Sequence, residues 1–519
     1  MFRRSSFSNS WWVLTVLLVP AIPSAHADAM STVDRAMATF NPIGKYVRNP
    51  IERAVPKLNF RGAFRQWSDV LIDTDNQVGF RQQDFRFAQL QNLLELEMSY
   101  ALAPGLEVNA VTHAMYDGVY DWQNSGGLFA DRNDRTVELY DNAERIMREL
   151  YVSYRRPEFD LLVGKQQVIW GKMDGQFIDI INGMDRREAV QLETEDFELR
   201  RLPTWMVNST FHFGRNSLQL LYIVDFEEDR QPQPGTPWYS PAIPPPNLLG
   251  QVVLPTVKPQ SSDFDDHEFG MRFDRSAGAL TYGFIYAYLW DKNPVGHAVG
   301  TQVQGGQTLL TIQPRHERLH HFGTTADYAT TLTDIPLVGS LPSVFRIEAL
   351  WTKGVRFQDF TKLEAARAGF ATDGTAQHDT LRAAIAAEFG LPHNTTLIFQ
   401  PSFYYTFGWN RNLGYAFGGG IFDEWACHVN HRNERPFAFS RDRLSMNFTA
   451  FPVISGPDKE FQGIKTKLRV KYKFSQFVST QLVYNGYDAG TPYRAGGPLE
   501  FYGQYDEWDN IGWELNYEF

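Results

Sequence analysis

From Ile511 to the last residue the chain alternates without a break: Ile511, Trp513, Leu515, Tyr517 and Phe519 are apolar, and Gly512, Glu514, Asn516 and Glu518 separate them. A period of two puts the aromatic stripe on one face of a β-strand and the polar groups on the other. The pattern recurs along the sequence. Leu280, Tyr282, Phe284, Tyr286, Tyr288 and Trp290 form one face of a second segment with mostly small residues between them. Leu218, Leu220, Tyr222, Val224 and Phe226 form another, as do Trp205, Val207, Phe211 and Phe213, and Leu397, Phe399, Phe403, Tyr405 and Phe407. Counting such segments predicts roughly 16 to 18 strands, an even number if both chain ends lie on one side. The stretch 353–437 is the hardest to count, because Leu381 to Phe389 also fits a helix.

Short and long connections alternate between these strands. Ala103-Pro104-Gly105, Arg156-Pro157-Glu158, Gly214-Arg215-Asn216 and Ser276-Ala277-Gly278 read as tight turns, whereas 117–145, 169–202 and 227–265 are long and polar or proline-rich. Pro241, Pro244, Pro245 and Pro246 make the last of these a loop and not a strand. Tight turns at one end and long loops at the other are what an antiparallel transmembrane barrel displays. Residues 28–57 precede the first clear strand, Leu58 to Trp67, and show no clean alternation, so they are expected to form a periplasmic extension or a small inward plug.

Composition supports a barrel over a helical membrane protein. Mean hydropathy is below zero and no apolar run approaches 20 residues, yet 14% of the chain is aromatic. Strands that meet lipid with alternate side chains reconcile the two, because half of each strand stays polar. At the N-terminus Arg3 and Arg4 precede an apolar run from Trp11 to Val19, and Ala25-His26-Ala27 supplies small residues for cleavage. That arrangement reads as a secretory signal peptide over residues 1–27. Its removal leaves 492 residues and moves the net charge from −11 to −13, which argues against nucleic acid as a partner. The single thiol, Cys427, forms neither an internal disulfide nor a thiolate cluster.

One strand carries a separate signal. If Ile464, Leu468, Val470, Tyr472 and Phe474 face lipid, then Lys465, Lys467, Arg469, Lys471 and Lys473 form a column on the lumen side. Such a column can steer anions, or it can belong to a structural ion-pair network with lumenal acids such as Glu95, Glu97 or Glu514; the second reading is preferred. Glu149, Tyr151 and Ser153, and Arg346 with Glu348, are other lumen-facing positions by the same parity.

From about Glu149 to Phe226 the sequence is more distinctive. Leu161 to Gly175 reads LLVGKQQVIWGKMDG, followed by Ile178-Asp179-Ile180-Ile181-Asn182, Asp185-Arg186-Arg187-Glu188, Asp196-Phe197-Glu198 and Arg201-Leu202-Pro203-Thr204-Trp205. This resembles the proteobacterial outer-membrane barrels catalogued as domain of unknown function 1302, which are distantly similar to alginate-export-type barrels. The chain departs from the family at Asn182-Gly183, where Asn-Pro is usual. The resemblance implies an outer-membrane barrel that moves lipidic or hydrophobic compounds with periplasmic or inner-membrane transport partners, and it supplies no catalytic residues. The terminal strand, with Trp513, Leu515, Tyr517 and Phe519, resembles the signal read by the bacterial barrel-assembly machinery.

The distinctive segment is a strand, a charge-dense loop and a second strand. Its charges are too many for a lipid-facing stretch, while Ile178, Ile180 and Ile181 require burial. Folding the loop into the lumen satisfies both; a surface cap packed on other loops is the alternative. Trp170, Lys172, Asp174, Asp179, Asp185, Arg186, Arg187, Asp196, Arg200 and Arg201 are the candidate constriction residues. An enzyme is not expected: no G-x-S-x-G occurs. His316 with His320 and His321, and His428 with His431, match no metal motif, and Gly418-Gly419-Gly420 lacks the lysine of a phosphate loop. No cofactor or metal is therefore expected. The expected function is an outer-membrane channel for small or hydrophobic solutes, with a cytochrome sheath and a plugged structural or adhesion barrel as rivals.

Overall fold

A computed structural model describes residues 41–72, 86–119, 146–173, 178–187, 197–232, 238, 250–336, 339–414, 423–456, 460–488, 502–506 and 508–519. Eighteen long strands run in sequence order round one closed wall. They are β1 (Leu58–Leu71), β2 (Phe87–Ala103), β3 (Leu106–Asp117), β4 (Met147–Arg156), β5 (Phe159–Gln166), β6 (Thr204–Phe213), β7 (Asn216–Ile223), β8 (Glu268–Ala277) and β9 (Leu280–Trp290) in the first half. The second half contains β10 (Arg318–Ile335), β11 (Gly339–Asp359), β12 (Thr375–Leu391), β13 (Thr395–Thr406), β14 (Trp425–Pro436), β15 (Leu444–Gly456), β16 (Glu460–Lys473), β17 (Val478–Asp488) and β18 (Asn510–Glu518). Each pairs antiparallel with its neighbours, and β1 closes on β18 from Ala63 opposite Glu518 to Leu71 opposite Asn510. Closure leaves no strand edge unpaired. No helix among the described residues is long and apolar enough to cross a membrane.

The alternation in the sequence becomes the two faces of the wall. In β9 Phe284 is 56% exposed on the outer face, whereas Ile285, Ala287 and Leu289 are buried on the inner one. β18 exposes Ile511 and Trp513 outward and buries Asn510 and Gly512. The four expected tight turns all lie at the end that also holds the start of β1 and the end of β18. Gly105 turns there at φ +78°, and a Cβ would stand 2.6 Å from the Arg155 carbonyl oxygen, so only glycine fits. The long connections, including 167–203 and 224–267, leave the opposite end.

The helix considered for Leu381 to Phe389 does not form. These residues lie within β12, which is hydrogen-bonded on both sides, to β11 and β13. Cross-strand pairing overrides the helical preference of the alanines. Ile385 is 56% exposed outward, and Ala384 and Ala386 are buried inward beneath a loop that larger side chains would displace.

Apolar burial concentrates where long connections fold against the inner wall or on one another. Val168, Trp170, Met173, Ile178 and Ile181 pack on β6, β7, β9, β11 and β12. Trp238, from connection 224–267, packs at the loop end with Leu71, Ala88, Tyr487, Tyr505 and Trp508. A three-stranded sheet of Gln251–Val253, Val295–Gln304 and Gln307–Arg315 packs on the helix Phe360–Arg367. Before β1, residues 42–54 are helical and rest on the turn-end rim.

Candidate functional site: a loop folded across the lumen

Connection 167–203 joins the neighbouring strands β5 and β6 and turns inward. Its apolar residues Val168, Trp170, Met173, Ile178 and Ile181 are buried against inner-wall side chains, including Ile285, Leu289 and Leu350. Trp170 is the largest anchor. Its indole Nε1 donates to Gln219 Oε1 at 2.8 Å, and its carbonyl accepts from Arg272 Nη1 at 2.5 Å. The ring lies over Gly270 so closely that a Cβ there would be 2.9 Å from it.

Polar contacts fix the far side of the loop. The Lys172 backbone N–H donates to Glu348 Oε1 on β11 at 2.6 Å, and the Lys172 ammonium pairs with Asp327 on β10. At the other extremity Leu199 packs with Trp67 and Leu93, Arg148 Nη1 donates to the Leu199 carbonyl at 2.8 Å, and Arg200 Nη2 donates to Gln91 Oε1 at 3.2 Å. β2 and β11 lie half-way round the ring from each other. One connection therefore touches opposite walls.

Between these ends the loop is braced by its own charges. Asp179 pairs with Arg201 at 2.6 Å, and a two-residue ladder joins Gly183–Met184 to Arg201–Leu202. Burial pushes the Asp179 carboxyl above its ordinary value, with Arg201 opposing. Burial acts on Asp185 in the same direction, but Arg187 at 2.5 Å, with Arg200 and Arg230 nearby, holds its carboxyl well below the usual range. Arg186 donates to Asp229 at 2.5 Å, tying this loop to connection 224–267. Asn182 Oδ1 accepts the Val168 N–H at 2.8 Å and its amide donates to the Leu202 carbonyl at 3.0 Å.

Eight of the ten candidate loop residues, Trp170, Lys172, Asp179, Asp185, Arg186, Arg187, Arg200 and Arg201, are thus assembled in one inward element. Asp174 and Asp196 lie outside the described residues. Parity in the sequence was enough to put Glu348 on the inner wall, but nothing local indicates that Lys172 meets it or Asp327. Trp238 and Asp229 were not singled out by the sequence reading, because their partners are distant in the chain.

The basic column does face inward. Lys465, Lys467 and Arg469 are buried there, Lys471 is half-buried and Lys473 exposed. Thr449 and Asn485 flank Lys467 in register, and the Lys465 ammonium stands 5.8 Å from the Phe451 ring. Two acids suggested as its partners are engaged elsewhere, Glu95 with His113 at 2.5 Å and Glu97 with Arg61 at 2.5 Å. In the terminal strand Trp513 points outward, Leu515 and Tyr517 are half-buried, and Phe519 is buried near Phe60.

Among the described residues no group of three or more His, Cys, Asp or Glu is placed to hold a metal ion. His316, His320 and His321 are held separately by Glu228, Tyr286 and Thr352. Gly418-Gly419-Gly420 lies outside the described residues.

The family model described as protein of unknown function, DUF1302, matches residues 36–519. The chain belongs to this family. The match extends well beyond the distinctive loop segment to the whole barrel. No curated protein matches this DUF1302 chain. Similar solved structures include OccAB2 of Acinetobacter baumannii, at 10% identity and a TM-score of 0.49 over 90% of this chain and 98% of the other. OpdK of Pseudomonas aeruginosa with vanillate aligns at 10% identity and a TM-score of 0.47 over 89% and 99%. A loop L8 deletion mutant of OmpT, an outer-membrane protein of Vibrio cholerae, aligns at 11% identity and a TM-score of 0.37 over 89% and 99%.

Proposed function

We propose that this DUF1302 protein is an outer-membrane channel for small solutes whose lumen is narrowed by connection 167–203. The outer wall supports the membrane reading. It exposes Phe211, Phe269, Phe284, Phe322, Ile385 and Phe403, a girdle that lipid covers and water does not tolerate. On this reading the signal peptide directs export, the barrel-assembly machinery inserts the chain, and the tight-turn end lies in the periplasm.

The observation that carries the constriction is the bracing of one loop between opposite walls, by Lys172 at Glu348 and Asp327 and by Leu199 and Arg200 at β1 and β2. Among the described residues, Asp179 with Arg201 and Asp185 with Arg187 are paired inside the loop, and Arg186 is taken up by Asp229. What borders the passage is a band of mixed sign: the exposed Lys172 beside Asp327, with Arg346 bridging Asp327 and Glu388 at 3.6 and 2.7 Å. Such a band orients small polar solutes without excluding either ion sign. Burial of Lys465, Lys467 and Arg469 supports a bracing role for the upper column.

Deleting residues 174–196 tests the constriction. Single-channel conductance in a planar bilayer rises if the loop narrows the lumen, and an unchanged conductance removes the idea. A folded barrel that passes no current in either form favours the plugged reading, for which Trp238 packed against Tyr487 and Trp508 at the loop end is the supporting feature.

A further inference from the structure

Residues 42–54 form one continuous helical stretch before β1. It docks through a polar edge. Asn41 Oδ1 accepts from the Tyr517 hydroxyl at 3.0 Å, that hydroxyl accepts from the Ile43 N–H at 3.2 Å, and Glu52 Oε1 accepts the Phe60 N–H at 3.1 Å. Tyr517 shares its parity with the outward Ile511 and Trp513, and Phe60 is in phase with Phe64, which stands opposite Tyr517. The helix therefore clips the first and last strands from the outer side of the rim.

Its apolar residues point away from the protein. Tyr46, Val47, Pro50 and Ile51 lie along one side of the helix, Val55 follows just past its end, and all are exposed, Tyr46 by 68%. A helix on a water-soluble surface turns this face inward. Lys45, Arg48, Arg53 and Lys57 accompany it, and the one acid, Glu52, is occupied by the Phe60 N–H.

We propose that this helix lies in the periplasmic phospholipid interface, with Tyr46, Val47, Ile51 and Val55 among acyl chains and Lys45, Arg53 and Lys57 at phosphate headgroups. The inference rests on the outer-membrane reading. Lipid is the occupant because the stripe continues the outer wall at Tyr517 and Phe60, and because the flanking charge is basic and headgroup phosphate is anionic.

The test uses the full mature chain in vesicles of phosphatidylethanolamine and phosphatidylglycerol. In a Cys427→Ala background, Val47→Cys, Ile51→Cys and, as a wall control, Phe284→Cys each carry an environment-sensitive dye. Emission at 47 and 51 moves to the blue and is quenched by lipids brominated on the acyl chains, to an extent similar to 284. Quenching at 284 alone, with 47 and 51 open to aqueous iodide, overturns the inference and leaves the membrane reading standing. A blue shift at 47 and 51 without bromolipid quenching means that protein covers the stripe, which also overturns it. Absence of quenching at all three positions overturns the membrane reading and the inference together.

Discussion

Trp170→Ala removes the largest anchor of the inward loop. A fully buried tryptophan hides on the order of 200 Å², which at about 25 cal/mol per Å² gives about 5 kcal/mol as an upper bound. The substitution also leaves Gln219 without the indole donor, at a cost of about 1 kcal/mol. Measured tryptophan truncations cluster at about 3–5 kcal/mol, so the ratio of docked to undocked loop falls by roughly two to three and a half powers of ten. The wall is spared, because β5 and β6 keep their pairing from Phe159 opposite Phe211 to Gln166 opposite Thr204. In planar bilayers the substituted channel flickers to a higher conductance, while its mobility shift on heating in detergent stays that of the parent barrel. Gly270→Val reaches the same state from the other side, since the new Cβ meets the Trp170 ring at 2.9 Å. A folded Trp170→Ala barrel with parental conductance and no added current noise refutes the reasoning.

Lys172→Glu places a second carboxylate beside Asp327 in the mixed-sign band and shifts the reversal potential under a KCl gradient toward cation selectivity; an unmoved potential means that the ion path avoids Lys172. Acid loosens the outer loops. Burial raises the Glu228 carboxyl, but hydrogen bonds from His316 at 3.1 Å and Lys258 at 2.5 Å outweigh it and hold the group below its ordinary value. A depressed carboxyl stabilises the fold above its unfolded value near 4.5 and loses that contribution as pH falls through the lower folded value. Hydrogen exchange in segments 224–232 and 314–318, corrected for intrinsic rates, therefore speeds up as pH falls below the unfolded value near 4.5 and through the lower folded one, and Glu228→Gln removes this dependence. Protection that stays constant with pH in the parent protein counts against the clip.

The wall was readable because a barrel strand writes both faces into every second residue. Ile511 to Phe519 and Leu280 to Trp290 needed no long-range information, and proline clustering marked connection 227–265 as irregular. Ala383, Ala384, Ala386 and Ala387 misled for a physical reason. Small side chains favour a helix locally, yet here Ala384 and Ala386 make space on the inner wall for Ile178 and Ile181, while Ala383 and Ala387 share the outward parity of Ile385. The inward course of 167–203 was legible in outline, since isoleucines among fixed charges have few places to go. Its attachments were not. Lys172 is 155 residues from Asp327 and 176 from Glu348, and strand parity says which way a side chain points but not what reaches it from across a cavity. The rim helix left no period-two signal, because Tyr46, Val47, Pro50 and Ile51 repeat with the helical one.

Charge density in the loop and charge along the passage are different quantities. The sequence between Asp174 and Arg201 looks like an ion filter, but Asp179 is consumed by Arg201, Asp185 by Arg187, and Arg186 by Asp229 in the second connection. These pairs hold a polar segment rigid inside a cavity, where each unpaired charge would be costly. Selectivity then falls to residues with exposed ends, and Lys172 is exposed because the contact fixing its position runs through its backbone N–H to Glu348, leaving the ammonium at the surface beside Asp327. Anchoring by backbone and presentation by side chain separate two roles in one residue. Substitution at 172 therefore changes which ions pass, whereas substitution at 170 changes whether the constriction exists.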